Sequence, residues 1–272
     1  MIHDGAFEKI ISLDNLFVAW QIYRKGKRRR PDVQKFEFHL EDNIFELHEE
    51  LQVGRYHPGS YQQFRVTDPK PRIISKALVR DRLLHQAIYQ ILYPAFDQMF
   101  IFDSYSCRNY KGTHRAFKRV VASARKISRN YTAPCWALKM DIKKFFDSID
   151  HEILLGLLAP RIDDERLMIL LKMIIKSFSI IPGKGMPLGN LTFLESRLKL
   201  SFHQDKIVIR KLRQGIDFVG YVALPHHRVL RTRTKRRMLR RVNEQNIASY
   251  RGLLQHCDGY KLMRRIDEDI FS

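Results

Sequence analysis

The chain has few cysteines and no pattern that would join them. Cys107, Cys135 and Cys257 are widely separated and odd in number, and the 272 residues contain no Cys-x-x-Cys pair and no histidine cluster with metal-ligand spacing. The sequence therefore gives no indication of a disulfide framework or of a structural zinc site.

The sequence also lacks the apolar stretches that direct or anchor a chain in a membrane. Its start contains Asp4 and Glu8 and no basic stretch followed by an apolar run, so it does not have the form of a signal peptide. The most apolar window, residues 167–181, is interrupted by Lys172 and Lys176, which a membrane span accepts poorly. We expect a soluble, cytoplasmic protein.

Acidic residues are scarce relative to basic ones. The 49 lysines and arginines outnumber 29 aspartates and glutamates, which gives a formal charge of +20 and a pI near 10.0. Because 44% of the residues are apolar and 11% aromatic, the charge belongs to a folded chain and not to a disordered tail. A basic globular protein has an electrostatic reason to bind a polyanion such as nucleic acid. The alternative is that the charge serves only solubility.

Apolar periodicity predicts an α+β chain, helical at both ends and mixed in the middle. A short apolar run, residues 135–142, ends in an acid and predicts a buried strand that presents Asp141 at its end. The predicted helices cover residues 10–20, 36–51, 79–92, 113–127, 150–158, 163–177 and 193–200, and a long basic helix covers 234–256. The other predicted strands cover residues 61–66, 72–75, 206–210 and 217–224.

The strongest functional motif surrounds Asp141. Residues 139–151 read Lys-Met-Asp-Ile-Lys-Lys-Phe-Phe-Asp-Ser-Ile-Asp-His. This run resembles the reverse transcriptases of bacterial retroelements, in which a strand ends in a metal-binding aspartate and continues into a stretch of this kind. Further matches occur in the order of that family and cover nearly the whole chain, at residues 68–74, 79–82, 102–108, 112–116, 185–190 and 218–221.

The resemblance implies a right-hand polymerase fold. Fingers with N-terminal helices would occupy residues 1–134, a palm residues 135–224, and the start of a basic helical thumb residues 225–272. Members of the family copy an RNA template from a DNA primer with dNTPs and Mg²⁺. The loop sequence Leu-Gly-Asn-Leu-Thr at residues 188–192 is more similar to the diversity-generating retroelement branch than to group II intron enzymes. Relatives in that branch work with a basic accessory protein.

The resemblance assigns a metal site to the end of the central strand. Asp141 matches the family's metal-binding aspartate, and the backbone carbonyl of Ile142 would add a ligand. Mg²⁺ takes oxygen ligands, and polymerisation needs two such ions held close together by converging carboxylates. Nearby Asp147, Ser148 and Asp150 precede an apolar helix, so they are predicted to cap that helix and not to bind metal.

The resemblance also assigns a substrate-binding arginine. Arg72 matches the residue that binds the triphosphate, a role for which a bidentate guanidinium is suited. Lys70 and Arg80 have weaker claims to the same role. The alternative for Arg72 is a solvated charge on a strand edge.

Two more residues match family positions close to the reaction. Phe146 lies where relatives place an aromatic side chain under the sugar, which excludes a ribose 2'-OH; the alternative is core packing beside Phe145. Lys206 lies where relatives carry a lysine near the leaving pyrophosphate, so it would act as a catalytic proton donor; the alternative is an ordinary surface lysine.

A basic run provides the second functional signal. Eight of the fourteen residues at 228–241 are basic and none is acidic, so the run would neutralise phosphates in any fold. Like charges at i and i+4 destabilise a bare helix, which favours an anionic partner over a solvated face. The resemblance places this run at the start of the thumb, along the template–primer backbone. The residues expected to contact nucleic acid are Gly189, Asn190, Gly220, Arg231, Arg233, Lys235, Arg236, Arg237, Arg240 and Arg241. A second run, residues 24–30, either contacts template or solvates a loop.

The family pattern is interrupted between Thr192 and Phe193. Relatives continue there into a helix and a hairpin with a Tyr-x-Asp-Asp turn, whereas no Tyr-x-Asp-Asp string occurs anywhere in this chain. Ordinary helix and hairpin lengths put the gap at roughly 40 to 60 residues. The Asp141 strand would then lack the strands that pair beside it in the family.

The missing acids divide the functional hypotheses. Without them two divalent cations would lack ligands, so we expect a chain that belongs to the reverse transcriptases by descent and does not polymerise DNA unaided. The alternative is a non-catalytic nucleic-acid-binding remnant or accessory protein of a retroelement. A third possibility is a nonfunctional remnant that neither folds nor binds specifically.

Overall fold

The computed structural model describes residues 1–67, 71–187, 203 and 206–271. The chain divides into two compact units, each assembled from two stretches. The first unit contains Met1–Ile101 and Ile142–Ser201, and the second contains Phe102–Asp141 and Phe202–Ser272. This division differs from the predicted fingers, palm and thumb boundaries, which remain a prediction.

Helices and antiparallel strands both occur, in agreement with the predicted α+β class. The described helices are α1 (Ala6–Ile11), α2 (Leu13–Tyr23), α3 (Pro31–Phe38), α4 (Leu40–Gln52), α5 (Val79–Asp97), α6 (Thr113–Ile127), α7 (His151–Leu158), α8 (Glu165–Lys176), α9 (Thr232–Arg241), α10 (Ile247–Leu254) and α11 (Tyr260–Phe271). The described strands are β1 (Gln62–Val66), β2 (Arg72–Lys76), β3 (Trp136–Lys139), β4 (Val208–Lys211), β5 (Ile216–Phe218), β6 (Tyr221–Ala223) and β7 (Arg228–Leu230). None of these described helices combines the length and the hydrophobicity needed to span a bilayer.

The first unit is built mainly from helices around one apolar core. The helical spacing over residues 10–20 is divided at Ser12, whose Oγ accepts a hydrogen bond from the Asn15 amide and starts α2. Ile10, Leu16 and Trp20 are completely buried, so both helices turn their apolar sides to the core. Asp164 caps α8 and also accepts a hydrogen bond from the Phe7 amide at 2.8 Å, which joins α8 to α1.

The helix-capping predictions near Asp150 are confirmed for one residue and wrong for two. The Asp150 carboxylate accepts hydrogen bonds from the first amides of α7, as an N-cap does. Ser148 donates instead to the carbonyls of Lys144 and Phe145, because it belongs to the preceding 3₁₀ turn. Asp147 lies within that turn, away from the start of α7.

The second unit combines α6, two small sheets and the C-terminal helices. Strands β3 and β4 form an antiparallel pair, and β5, β6 and β7 form an antiparallel sheet in that order. Phe117, Tyr221, Met238 and Ile266 are buried in one cluster. This cluster joins α6, β6, α9 and α11 into one core.

The predicted burial of the central strand is wrong. Trp136 is 57% exposed and Leu138 56% exposed, although both are apolar and lie on the same face of β3. The reason lies in the pairing, since β4 is the one partner strand of β3 within the described residues, and its facing Ile209 is also exposed. A two-stranded sheet of this kind leaves apolar side chains in water.

Three other predicted elements are divided in the structure. The helix expected over residues 36–51 is interrupted at His39, whose non-helical backbone separates α3 from α4. The strand expected over residues 217–224 is a hairpin of β5 and β6, turned by Val219 and Gly220 with φ of 45° and 94°. The long basic helix is interrupted after Arg241, because Asn243 and Asn246 accept each other's backbone amides through their side chains. Its N-terminal part belongs to α9, and its C-terminal part is α10. The helix expected over 193–200 lies outside the described residues.

Candidate active site

Strand register brings Asp141 and Lys206 together. Lys139 pairs with Val208 in the antiparallel ladder of β3 and β4. Extending this register by two residues places Asp141 opposite Lys206, on the same face. The Lys206 Nζ donates a hydrogen bond to Asp141 Oδ2 at 2.6 Å. Two residues separated by 65 positions in sequence thus form one charged pair.

The electrostatics of this pair favour an ionised carboxylate. The hydrogen bond from Lys206 lowers the pKa of Asp141 below its ordinary value, and the charges of Lys206, His203 and Lys139 act in the same direction. The backbone also supports the geometry, because the His203 amide donates to the Asp141 carbonyl at 2.8 Å. Both charged side chains are about half exposed, so water screens much of their attraction.

The described surroundings of Asp141 do not fit a pair of Mg²⁺ ions. Two such ions need several converging carboxylates, and no cluster of three His, Cys, Asp or Glu side chains occurs among the described residues. Among the described residues, the side chain that contacts the Asp141 carboxylate ends in an ammonium, which has the wrong charge for a metal ligand. The backbone carbonyl of Ile142, the next residue in sequence, would add one oxygen. The described residues would then still supply too few oxygen ligands for two Mg²⁺ ions.

Two of the predicted triphosphate-binding residues, Arg72 and Arg80, lie in the first unit. Arg72 begins β2, pairs with Val66 across the β1–β2 hairpin and is exposed. The Arg80 guanidinium donates to Glu50 Oε2 and to the His57 carbonyl, each at 2.7 Å, so it already has a structural role. Lys70 lies outside the described residues.

Phe146 is attached to the loop that follows α8. Its ring packs edge-on against Phe145, with ring centroids 5.1 Å apart, and both rings lie against the core of the first unit. Its carbonyl accepts a hydrogen bond from the Met186 amide at 2.9 Å. The core packing given as the alternative for Phe146 is therefore present, and its predicted role under a sugar remains a prediction.

His151 anchors the Gly and Pro loop, a contact that the sequence analysis did not predict. Its side chain is buried, and Nε2 lies 2.8 Å from the Gly185 carbonyl. Its amide donates to the Gly183 carbonyl, and the Gly185 amide donates to Ile149. These bonds hold the start of the Gly and Pro loop against α7. The histidine at the end of the Asp141 motif was the available signal. Gly189 and Asn190, further along the loop, lie outside the described residues.

The basic run is anchored to the second unit by its first residues. Arg231 Nε donates to Asp217 Oδ1 at 2.7 Å, and the Arg231 amide donates to the Gly220 carbonyl at 3.0 Å. Gly220 thus shapes the turn against which α9 begins. Further along, Met238 is completely buried and fixes one side of α9 in the core.

The opposite side of α9 carries the positive charge. Arg236 and Arg240 are exposed and four residues apart, so they lie one turn from each other on the same side. Within the part of the chain that the structure describes, neither makes an ion pair with an acidic residue. The exposed basic residues of α9 are Arg233, Lys235, Arg236, Arg240 and Arg241.

Comparison with protein families identifies the chain. The family model described as "Reverse transcriptase (RNA-dependent DNA polymerase)" matches residues 66–216, more than half of the sequence. The chain belongs to the reverse transcriptase family. The resemblance to the reverse transcriptases of bacterial retroelements, inferred from the motifs, is therefore confirmed.

Similar curated proteins include intron-encoded relatives. The chain is 27% identical over 153 residues to Protein YkfC of Escherichia coli (strain K12), covering 53% of the chain and 40% of that protein. It is 26% identical over 140 residues to Group II intron-encoded protein LtrA of Lactococcus lactis subsp. cremoris, covering 50% and 22%. It is 25% identical over 150 residues to an uncharacterized 91 kDa protein in cob intron of Schizosaccharomyces pombe, covering 53% and 18%. The chain spans less than half the length of each.

The reverse transcriptase match includes one of the two predicted functional regions. Arg72, Asp141, Phe146 and Lys206 lie within the matched residues 66–216. Gly220 and the basic residues from Arg231 onward lie beyond this segment. The nucleic-acid-binding role of the basic run therefore depends on its charge and exposure and not on the family match.

Proposed function

We propose that this reverse transcriptase chain binds an RNA template and DNA primer through α9 and does not extend the primer. The proposal is carried by the pairing of Asp141 with Lys206. An ammonium lies 2.6 Å from the carboxylate that matches the family's metal ligand. The described residues contain no cluster of carboxylates that could hold metal ions with it. The absence of a Tyr-x-Asp-Asp string from the sequence supports the same conclusion.

The proposed architecture is a right-hand polymerase whose palm lacks its central hairpin. The exposed apolar face of β3 and β4 supports this view, since Leu138 and Ile209 would be covered in a complete palm. Fingers, truncated palm and thumb would correspond to residues 1–134, 135–224 and 225–272. A dNTP site at Arg72 and an accessory protein of the diversity-generating branch remain predictions.

Nucleic-acid binding is supported by the charge distribution of α9. The helix is fixed in the second core by Met238 and directs Arg236 and Arg240 outward. Repulsion between these like charges is relieved when phosphates lie beside them. A folded chain with a net charge of +20 and such a helix is suited to a template–primer duplex.

The alternative is an active RNA-dependent DNA polymerase, which family membership favours. One sample distinguishes the two: a labelled primer annealed to an RNA template, with binding followed by fluorescence anisotropy and extension followed after adding dNTPs and Mg²⁺. We expect salt-sensitive binding without extension. Extension would overturn the proposed loss of catalysis, and absence of binding would indicate a nonfunctional remnant.

A further inference from the structure

The second unit contains a cavity that neither the family motifs nor the basic helix uses. It has a volume of about 370 Å³ and lies where β3 begins and β4 ends. Its lining includes Tyr131, Pro134, Trp136, Lys211, Arg213 and Pro225. We call it the Trp136 pocket. All of its lining residues belong to the second unit.

An exposed tryptophan and a cation form one wall of the Trp136 pocket. Trp136 is 57% exposed, whereas Trp20, the other tryptophan of the chain, is completely buried. Trp136 pairs across the strands with Lys211, whose Nζ lies 4.8 Å from the indole ring centroid. An indole with an ammonium over one face and much of its surface open to water is suited to a planar ligand that carries negative charge.

A strained turn supplies the second aromatic side chain. Arg129, Asn130 and Tyr131 have φ of 48°, 59° and 69°, a left-handed conformation that non-glycine residues disfavour. The turn is retained by hydrogen bonds: the Tyr131 amide donates to Ser128 Oγ, and the Ala133 amide donates to the Ser128 carbonyl. These bonds compensate for the strain of the turn. The turn places Tyr131 in the lining of the pocket. Backbone strain of this kind is concentrated at functional sites.

The charge of the lining restricts the ligand. Lys211 and Arg213 are basic, and none of the residues that line the pocket is acidic. Aromatic surface attracts planar rings, and paired cations attract phosphate. A nucleotide carries both groups. A pocket of about 370 Å³ falls in the size range of sites for small ligands.

We propose that the Trp136 pocket binds one unstacked nucleotide of a single-stranded nucleic acid. The base lies against Trp136 and Tyr131, and the phosphates contact Lys211 and Arg213. The inference goes beyond the proposed function, because duplex binding along α9 needs no unstacked base. The pocket therefore gives the chain a second nucleic-acid contact, specific for unpaired segments.

The test uses a short labelled oligouridylate and the two tryptophans. Because Trp20 is buried, quenching of tryptophan fluorescence by the unlabelled oligonucleotide reports contact with Trp136. We expect saturable quenching. By anisotropy with the labelled oligonucleotide, Trp136→Ala should lower affinity by on the order of tenfold and Trp136→Phe by less, because phenylalanine retains a stacking surface.

Charge variants separate the pocket from general attraction. Lys211→Ala and Arg213→Ala should each lower the affinity for the oligouridylate. Lys261→Ala removes a matched exposed lysine on α11 and should leave this affinity unchanged. Circular dichroism spectra and urea midpoints identify any variant that fails to fold. If all three variants lowered the affinity equally, binding would depend on net charge and not on the pocket, and the proposal would be overturned.

Two further probes complete the test. Uridine monophosphate should compete better than inorganic phosphate, and equal competition would mean an anion site only, which contradicts the proposal. A chain with Arg236, Arg237 and Arg240 changed to alanine should lose template–primer affinity but keep the quenching by oligouridylate. Failure of the pocket and failure of the proposed function are therefore distinguishable. Absence of quenching in a folded protein would overturn the pocket assignment.

Discussion

Lys206 donates a hydrogen bond to Asp141 across the β3–β4 ladder, with Nζ and Oδ2 2.6 Å apart. The carboxylate that was predicted to bind metal is therefore favoured in its ionised form by a cation of its own chain. A divalent ion at this position would have to compete with Lys206 and find further oxygen ligands. The described part of the chain offers no carboxylate cluster for that purpose.

The Asp141–Lys206 pair should contribute little to stability. Both side chains are about half exposed, and exposed ion pairs typically contribute less than about 1 kcal/mol. A double-mutant cycle of Asp141→Asn and Lys206→Met, measured by urea unfolding, should give a coupling free energy below that value. A coupling free energy above about 2 kcal/mol would mean that the pair behaves as a buried ion pair that stabilises the fold.

Neutralising α9 should weaken template–primer binding and flatten its salt dependence. Each phosphate contact contributes roughly 0.9 to the slope of log K against log salt for a duplex. We expect the triple change Arg236→Ala, Arg237→Ala and Arg240→Ala to reduce the slope by about 2 to 3. The measurement is anisotropy of a labelled template–primer across salt concentrations.

A charge-matched variant controls for the loss of three positive charges. Lys9, Lys35 and Lys172 are exposed lysines on α1, α3 and α8, and their change to alanine alters the net charge equally. This variant should retain nearly the full slope. If the slope of log K against log salt falls by the same amount in both variants, the basic side of α9 is only solvated and the interface assignment is wrong.

Asp164 should be among the most sensitive polar residues of the first unit. Its buried carboxylate accepts hydrogen bonds from the Phe7 amide at 2.8 Å and the Leu167 amide at 3.0 Å. Asp164→Ala leaves both donors unsatisfied and removes an N-cap, so it should lower the free energy of unfolding by about 2 to 4 kcal/mol. Asp163→Ala removes the same charge from an exposed position and should cost no more than about 0.5 kcal/mol. Equal losses would refute the role of Asp164 in joining α1 and α8.

Stability should fall between neutral and mildly acidic pH because of His85. Burial lowers the pKa of His85 to about 4, and its Nδ1 has no hydrogen-bond partner within the described residues. The unfolded chain therefore binds a proton below about pH 6.5 that the folded chain takes up only near pH 4, so stability rises with pH over this window. The free energy of unfolding should drop by about 2 kcal/mol from pH 7 to pH 5.

The pH effect can be assigned by replacing the histidine. His85→Gln is neutral at both pH values, so its free energy of unfolding should change less over the same interval than that of the original chain. Urea unfolding followed by circular dichroism at each pH provides the comparison. An identical pH dependence in both chains would show that other groups are responsible.

Local patterns in the sequence were sufficient for most helices and for the motif, because periodicity and capping are encoded by neighbours in sequence. Asp150 was predicted as a cap from its position before an apolar helix, and the structure confirms it. Strand β3 was predicted correctly as a strand, but its burial was not, since burial depends on which strands pair beside it.

Longer-range features could not be read from the sequence. The contact of Asp141 with Lys206 depends on the β3–β4 register, which no local pattern specifies. The long basic helix was predicted without an interruption because its helical periodicity continues past Val242, whereas the reciprocal hydrogen bonds of Asn243 and Asn246 end it there. The anchoring of the Gly185 loop by His151 likewise depends on tertiary contacts.

The central claim is that the Asp141 site does not support DNA synthesis, and primer extension tests it most directly. The purified chain and its Asp141→Ala variant are incubated with an RNA template, a labelled DNA primer, dNTPs and Mg²⁺, with an active reverse transcriptase as the positive control. We predict no extension by either chain while the template–primer remains bound. Extension by the original chain that disappears in Asp141→Ala would contradict the account, because it would show that other acids complete the metal site around Asp141.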